Sequence, residues 1–301
     1  MRSTSASIEP CATTLRRSVG SGRIFRLKAE ATRSRIDLRL FDRLKLEASK
    51  VNYTICASVA SGFSRKAVAG AGFLGLLLLF AAPASAAQRV TFRTDDGVTL
   101  SGTWYEPSTR IGPAVILVHM LARTRREWEP IAQRLSSEGI GALALDLRGH
   151  GESSAGPAGP PDRADYSSMV LDLRAARRYL GQRSDVQQTR VGVAGASLGA
   201  NLAVLLASAD PSIASVALLS PSLDYRGLRI EAAARKVTRP MLLVAGDDDP
   251  YASRSVRELQ KAGGGPREVL ILNQAGHGTA MLGRDPTLAG ALVDWFRRTL
   301  L

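Results

Sequence analysis

The chain has 301 residues, 45% of them hydrophobic and 22% charged, with a formal net charge of +13 at pH 7. That composition suits a globular core and excludes a fibrous or wholly disordered chain. The charge is uneven: residues 1–86 hold 14 Lys and Arg against 5 Asp and Glu, whereas residues 87–301 hold 26 against 22. The basicity therefore belongs to the N-terminal third. Without a basic-aromatic stripe after residue 87, it does not argue for nucleic-acid binding.

Residues 1–60 are basic and show no pattern of a compact core. Arg26–Arg33 and Arg43–Lys50 are near copies, RLKAEATR and RLKLEASK. Two readings stand: a disordered basic tail, or an upstream segment mis-assigned to the protein, with a start at a valine codon such as Val59. Residues 61–86 read as a signal peptide. Arg65-Lys66 precedes the apolar stretch Ala67–Ala82, and Ala84-Ser85-Ala86 supplies a small-residue cleavage site. The stretch has 16 residues, short of the roughly 20 that span a bilayer. A membrane anchor over residues 67–82 is the alternative. Cys11 and Cys56 both precede the cut, so the expected mature chain, residues 87–301, carries no disulfide. Export to the periplasm or exterior of a bacterial cell follows, and a core of this size needs no staples.

From Gln88 the chain reads as one α/β domain. Arg89–Thr94 and Val98–Tyr105 alternate around Asp95-Asp96-Gly97, a β-hairpin signature. Ala114–Val118 is continuously apolar, as a strand buried on both faces would be. A helix is expected over 126–138, with Trp128, Ile131, Ala132 and Leu135 on one face, followed by strand Gly141–Leu145. Next come helix 166–181, strand Arg190–Ala194, a helix to Ala207 and strand Ala214–Leu219. Beyond them lie a single helix over 228–236, strand Met241–Ala245, helix 253–262, strand Glu268–Leu272 and a last helix from Pro286. An antiparallel start followed by repeated βα units predicts a mostly parallel sheet with helices on both faces. Functional loops then gather at the C-terminal strand ends.

Gly195-Ala196-Ser197-Leu198-Gly199 falls between a strand and a helix, the setting of a nucleophile elbow. Its glycines permit a sharp bend that lifts the Ser197 hydroxyl above the sheet and aims a helix N-terminus at the site. A serine needs a base. Among His119, His150 and His277, only His277 follows the serine with an acid between them. His119 and His150 read as residues that tie loops together. The acid belongs to Asp247-Asp248-Asp249, which ends strand Met241–Ala245, and chemistry alone leaves all three open. Asp146 and Arg148 read as loop-bracing ion-pair residues. Arg123, Arg125 and Arg126 read as a solvated helix start, or as a lure for an anionic substrate. Met169, Met281 and Trp128 read as core or pocket wall. No metal-ligand spacing and no phosphate-binding glycine loop is present in the sequence, so no cofactor or metal is expected.

Together Ala114–His119, Leu145–Ser153, the serine turn, Leu243–Pro250 and Gly276-His277 make the segment 88–301 resemble the α/β-hydrolase superfamily. Within it, the chain is similar to small esterases and dienelactone hydrolases, with serine where typical dienelactone hydrolases carry cysteine. It also resembles serine aminopeptidase-like lipases in Leu147-Arg-Gly-His-Gly151. The resemblance implies an α/β-hydrolase fold with a minimal lid, because Ser220–Pro240 leaves room for one helix and hence an open pocket. It implies Asp249 as the acid. The oxyanion hole would take the N–H of Leu198 and that of Leu121, or of Met120, which stands where the family usually has glycine. The implied activity is hydrolysis of carboxylic esters through an acyl-enzyme. Amide hydrolysis, acyl transfer and a catalytically silent binding fold are the alternatives. The implied partner is a small-molecule ester or acyl substrate; no nucleic acid is expected, and a membrane only if the leader is retained.

Overall fold

The alternating residues on either side of Asp95-Asp96-Gly97 pair as an antiparallel ribbon in the computed structural model, which describes residues 87–155 and 166–301. The ribbon is β1 (Ala87–Arg93) with β2 (Thr99–Tyr105). At its turn Gly97 takes φ 85°, and the Thr94 hydroxyl accepts the Val98 N–H at 2.9 Å. The basic segment 1–60 and the signal peptide expected over 61–86, with the repeat and both cysteines, lie outside the described residues.

Continuous apolar runs supply the central strands. These are β3 (Gly112–Val118), β4 (Gly141–Leu145), β5 (Val186–Ala196), β6 (Ile213–Leu219), β9 (Met241–Gly246) and β10 (Arg267–Leu272). They form one eight-stranded sheet in the order β1-β2-β4-β3-β5-β6-β9-β10. Every pair from β4 to β10 is parallel, and β2 joins β4 antiparallel. Alternation along β3 divides the core between the two faces. Ala114, Ile116 and Val118 face one layer, Val115 and Leu117 the other, as the period of two demands.

The first layer is closed by α2 (Val170–Gly181), α3 (Leu198–Ala209), α4 (Glu231–Lys236) and α5 (Pro250–Lys261). The second is closed by α1 (Glu129–Ser137) and α7 (Leu288–Leu300). On α1, Ile131, Ala132 and Leu135 are buried at helical spacing, with Trp128 in the 3₁₀ turn before it. Trp128, Met169 and Met281 all belong to the core.

Several expected boundaries shift. The helix expected over 126–138 opens as a 3₁₀ turn at Arg125–Trp128, and that expected from 166 opens as one at Tyr166–Met169. α5 starts at Pro250, three residues early, because the Asp249 carboxylate caps it by accepting the Ala252 N–H at 3.1 Å. A 3₁₀ turn (Gly278–Ala280) and the short α6 (Met281–Arg284) precede α7, which begins at Leu288 rather than Pro286.

The helix expected over 228–236 is the main correction. Its first third is the second strand of a small hairpin, β7 (Asp224–Tyr225) with β8 (Leu228–Arg229), and only Glu231–Lys236 is helical. Arg226 (φ 50°) and Gly227 (φ 89°) both sit in the left-handed region, as a two-residue hairpin turn of the primed type requires. Asp224 fixes that turn by accepting the Gly227 N–H at 2.7 Å and the Arg229 guanidinium at 3.0 Å.

Candidate active site

The turn after β5 is built by close backbone approach. A Cβ on Gly195 would lie 2.1 Å from the Gly199 carbonyl oxygen, and one on Gly199 would lie 2.5 Å from that of Val118. Only glycine permits the strand, the helix and the end of β3 to meet so closely. Ser197 pays for this with φ 50° and ψ −114°, a strained conformation for a side-chain-bearing residue. Its N–H donates to the Leu219 carbonyl at 2.8 Å, pinning the serine to the end of β6.

Three residues from three strand ends converge there. Ser197 Oγ lies 2.8 Å from His277 Nε2, and His277 Nδ1 lies 2.5 Å from Asp249 Oδ2. With Nδ1–H donated to the carboxylate, Nε2 is left as the acceptor for the serine hydroxyl. Ser197 is 9% exposed, whereas the His277 side chain is 47% exposed, so solvent reaches the imidazole.

The three aspartates, indistinguishable by residue type, do three different things. Asp249 meets the imidazole. Asp247 Oδ1 accepts the Gln274 N–H at 2.7 Å, and Asp248 Oδ1 accepts the Gly276 N–H at 2.8 Å. Asp247 and Asp248 thus hold the loop that carries His277. Ser220, just past β6 at φ 48°, holds the other side by accepting the Gly278 N–H at 2.9 Å. Nothing in the sequence marks Ser220, because its role comes from a contact 58 residues away.

Leu198 opens α3, where first-turn N–H groups lack a partner within the helix. Leu121 and Met120 follow β3 on the loop that Gly199 packs beside. Met120 does not need the freedom of the glycine it replaces, since the left-handed residue of this loop is Ala122, at φ 58°. Its side chain is a strut instead: the Thr279 hydroxyl donates to Met120 Sδ at 3.2 Å, joining this loop to that of His277.

His119 and His150 make no hydrogen bond to Ser197, His277 or Asp249 and instead tie loops together. His119 Nε2 accepts the Leu147 N–H at 3.0 Å, and its Nδ1–H donates to the Met120 carbonyl at 2.7 Å. Burial pushes its pKa down to about 4, so the ring is neutral near pH 7. His150 Nε2 accepts the Ala122 N–H at 3.2 Å, and its Nδ1–H donates to the Arg148 carbonyl at 3.0 Å.

Ion pairs brace the same side. Arg125, expected at a solvated helix start, is instead 6% exposed. Its guanidinium pairs with Asp146, meets Glu152 at 2.9 Å and reaches Thr103 at 3.0 Å. Packing under the β1–β2 ribbon buries it, which its local sequence does not foretell. Arg126 and Arg123 remain exposed. Arg148 joins Asp172 of α2 at 2.7 Å to Asp96 of the first turn at 2.6 Å. Burial raises the Asp172 pKa and the Arg148 hydrogen bond opposes that shift, while the same arginine holds Asp96 below the usual carboxylate range.

An open cleft of about 470 Å³ is lined by Leu121 and Ala122 of the loop after β3, with Arg123, Thr124, the Gly149–Gly151 turn, Tyr166 and Arg226. Among the described residues no cluster of three or more His, Cys, Asp and Glu side chains converges as a metal site would. Nor is any helix among them long and apolar enough to cross a membrane.

Comparison with known proteins agrees with this architecture. Residues 110–228 match the family described as Serine aminopeptidase, S33. The uncharacterized protein Rv2307c of Mycobacterium tuberculosis is 31% identical over 237 residues, covering 71% of this chain and 79% of that protein. The dienelactone hydrolase of Anabaena variabilis superposes with a TM-score of 0.59 at 20% identity, over 72% of this chain and 99% of that one. The Pyrococcus furiosus esterase Pf2001 superposes with a TM-score of 0.60 at 19% identity, over 72% of this chain and 92% of that one.

Proposed function

This chain belongs to the α/β-hydrolase superfamily, and we propose that it is an exported serine hydrolase of carboxylic esters. The observation that carries the reading is the continuous Ser197–His277–Asp249 chain, at 2.8 and 2.5 Å, on a strained turn at the head of α3. His277 Nε2 accepts the hydroxyl proton as Ser197 Oγ attacks the acyl carbon, and Asp249 holds the ring in the tautomer this requires. The N–H groups of Leu198 and Leu121 stabilise the oxyanion. His277 returns the proton to the leaving alcohol, and a water activated by the same nitrogen then frees the acyl group from Ser197.

The exposed face of His277 favours water over a second alcohol as acceptor, which supports hydrolysis rather than acyl transfer. The names of the esterase and dienelactone hydrolase relatives support an ester as the substrate. Export is part of the proposal: a cut after Ala86 would keep every described residue of β1, Ala87–Arg93, in the mature chain. N-terminal sequencing of the native protein tests it, and a retained residue 1–60 would sink it.

The catalytic reading is tested with p-nitrophenyl acetate, butyrate and octanoate on the full chain beside Ser197→Ala. Loss of turnover by about 10⁴-fold or more is expected in the variant. Equal rates in the two proteins would remove Ser197 from the reaction.

A further inference from the structure

The cleft that includes Leu121 also carries a cation, Arg226, held by aromatic rings rather than by any acid among the described residues. Arg226 occupies the tip of the β7–β8 hairpin and lines the cleft together with Leu121 and Ala122. Its nearest acidic neighbour in sequence, Asp224, is committed elsewhere: the carboxylate takes the Gly227 N–H and the Arg229 guanidinium, which together hold its pKa below the usual range. Among the described residues no carboxylate lies within ion-pair distance of Arg226.

What holds Arg226 is aromatic. Its guanidinium carbon stands 5.9 Å from the ring centres of both Tyr166 and Tyr225, and Nη1 donates to Tyr166 Oη at 3.2 Å. Those two rings pack edge to face at 5.6 Å. The platform limits the rotamers of the arginine without neutralising it, so a guanidinium fork stays ready for an anion. Arg123 adds positive charge to the lining, loosely balanced by Glu127 at 3.5 Å. The rest of the lining is mostly apolar or backbone. One fork in such a cleft suits a planar carboxylate on an aliphatic chain.

We propose that the cleft selects esters whose acyl chain ends in a carboxylate, with Arg226 reading that carboxylate and Arg123 assisting. The assignment builds on Ser197 as the nucleophile and adds the class of acyl group delivered to it.

The test compares p-nitrophenyl hexanoate with mono-p-nitrophenyl adipate, and octanoate with suberate, on the full chain. The anionic member of each pair is expected to have the higher kcat/KM, by about fivefold, the scale of one exposed charge pair. Arg226→Gln should bring that ratio close to one, Arg226→Lys should restore part of it, and about 0.5 M NaCl should shrink it. A ratio at or below one in the unaltered protein, or one unmoved by Arg226→Gln, overturns the assignment.

Binding separates this idea from the catalytic one. Monomethyl adipate and dimethyl adipate are titrated calorimetrically into Ser197→Ala, with and without Arg226→Gln. Binding of the anion that depends on Arg226, without any Ser197-dependent turnover, keeps the cleft assignment and overturns the hydrolase reading. Turnover dependent on Ser197, with no Arg226 effect in either assay, does the reverse.

Discussion

The two halves of the sheet hold their loops by different means. After β3 and β4 the loops are locked by buried charge, Arg125 with Asp146 and Arg148 with Asp172, and by two histidines hydrogen-bonded at both nitrogens. After β9 and β10 they are held by more exposed carboxylates gripping single backbone N–H groups, at Gln274 and Gly276. Buried pairs are costly to break, whereas single exposed hydrogen bonds are cheap. The wall bearing Leu121 is therefore the rigid side, and the loop bearing His277 is the side that yields.

Asp249→Asn should break the second half most severely. Asn still caps α5, so stability should hold, but it no longer imposes the tautomer that leaves Nε2 free. A fall in kcat of about 10⁴-fold is expected, with the melting temperature nearly unchanged. Loss of activity no greater than tenfold would point to another residue as the partner of His277.

Asp146→Ala attacks the rigid side instead. It leaves the Arg125 guanidinium buried without its main partner, and denaturant unfolding should show a loss of about 3–5 kcal/mol. A loss below about 1 kcal/mol would mean that Glu152 and Thr103 suffice.

The pH dependence should come next in size. His119 in the unfolded chain binds a proton near pH 6.5, whereas in the folded chain it does so only near 4. Its contribution to stability is thus whole above pH 6.5 and lost as the pH falls towards 4, by about 3 kcal/mol in total. Proton NMR of the ring across that window checks it, and a midpoint near 6.5 in the folded protein would refute it.

The smallest effect is expected at Asp248→Ala. Removing one grip on the His277 loop should lower kcat about threefold to tenfold, with KM little changed. An unchanged kcat would show that Asp247 and Ser220 hold the loop without it.

Much of this was legible in the chain itself. The apolar runs announced the parallel strands, and Gly195–Gly199 announced the turn, because both depend on neighbours a few residues away. From its local sequence Arg125 reads as solvated, because its burial depends on the β1–β2 ribbon, about 20 residues upstream. The second hairpin strand, Leu228–Arg229, reads as helix because Leu228–Lys236 has the composition of one, and Asp224, whose contacts override it, lies outside that window. The tasks of Asp247 and Asp248 are likewise invisible, since each is set by a partner about 27 residues further on.

Asn201 has a consequence for how such a protein diversifies. Fully buried on α3, it donates to the carbonyls of Ser222 and Leu228 and accepts the Ser222 N–H. One side chain thus welds both feet of the hairpin to the helix that begins just after Ser197. Between those feet Asp224 and Gly227 keep the turn, while the side chain at Arg226 can change with Ser197 staying where it is. Under the proposed function, a lineage carrying this weld can exchange one acyl preference for another at the hairpin tip without rebuilding the turn that holds Ser197.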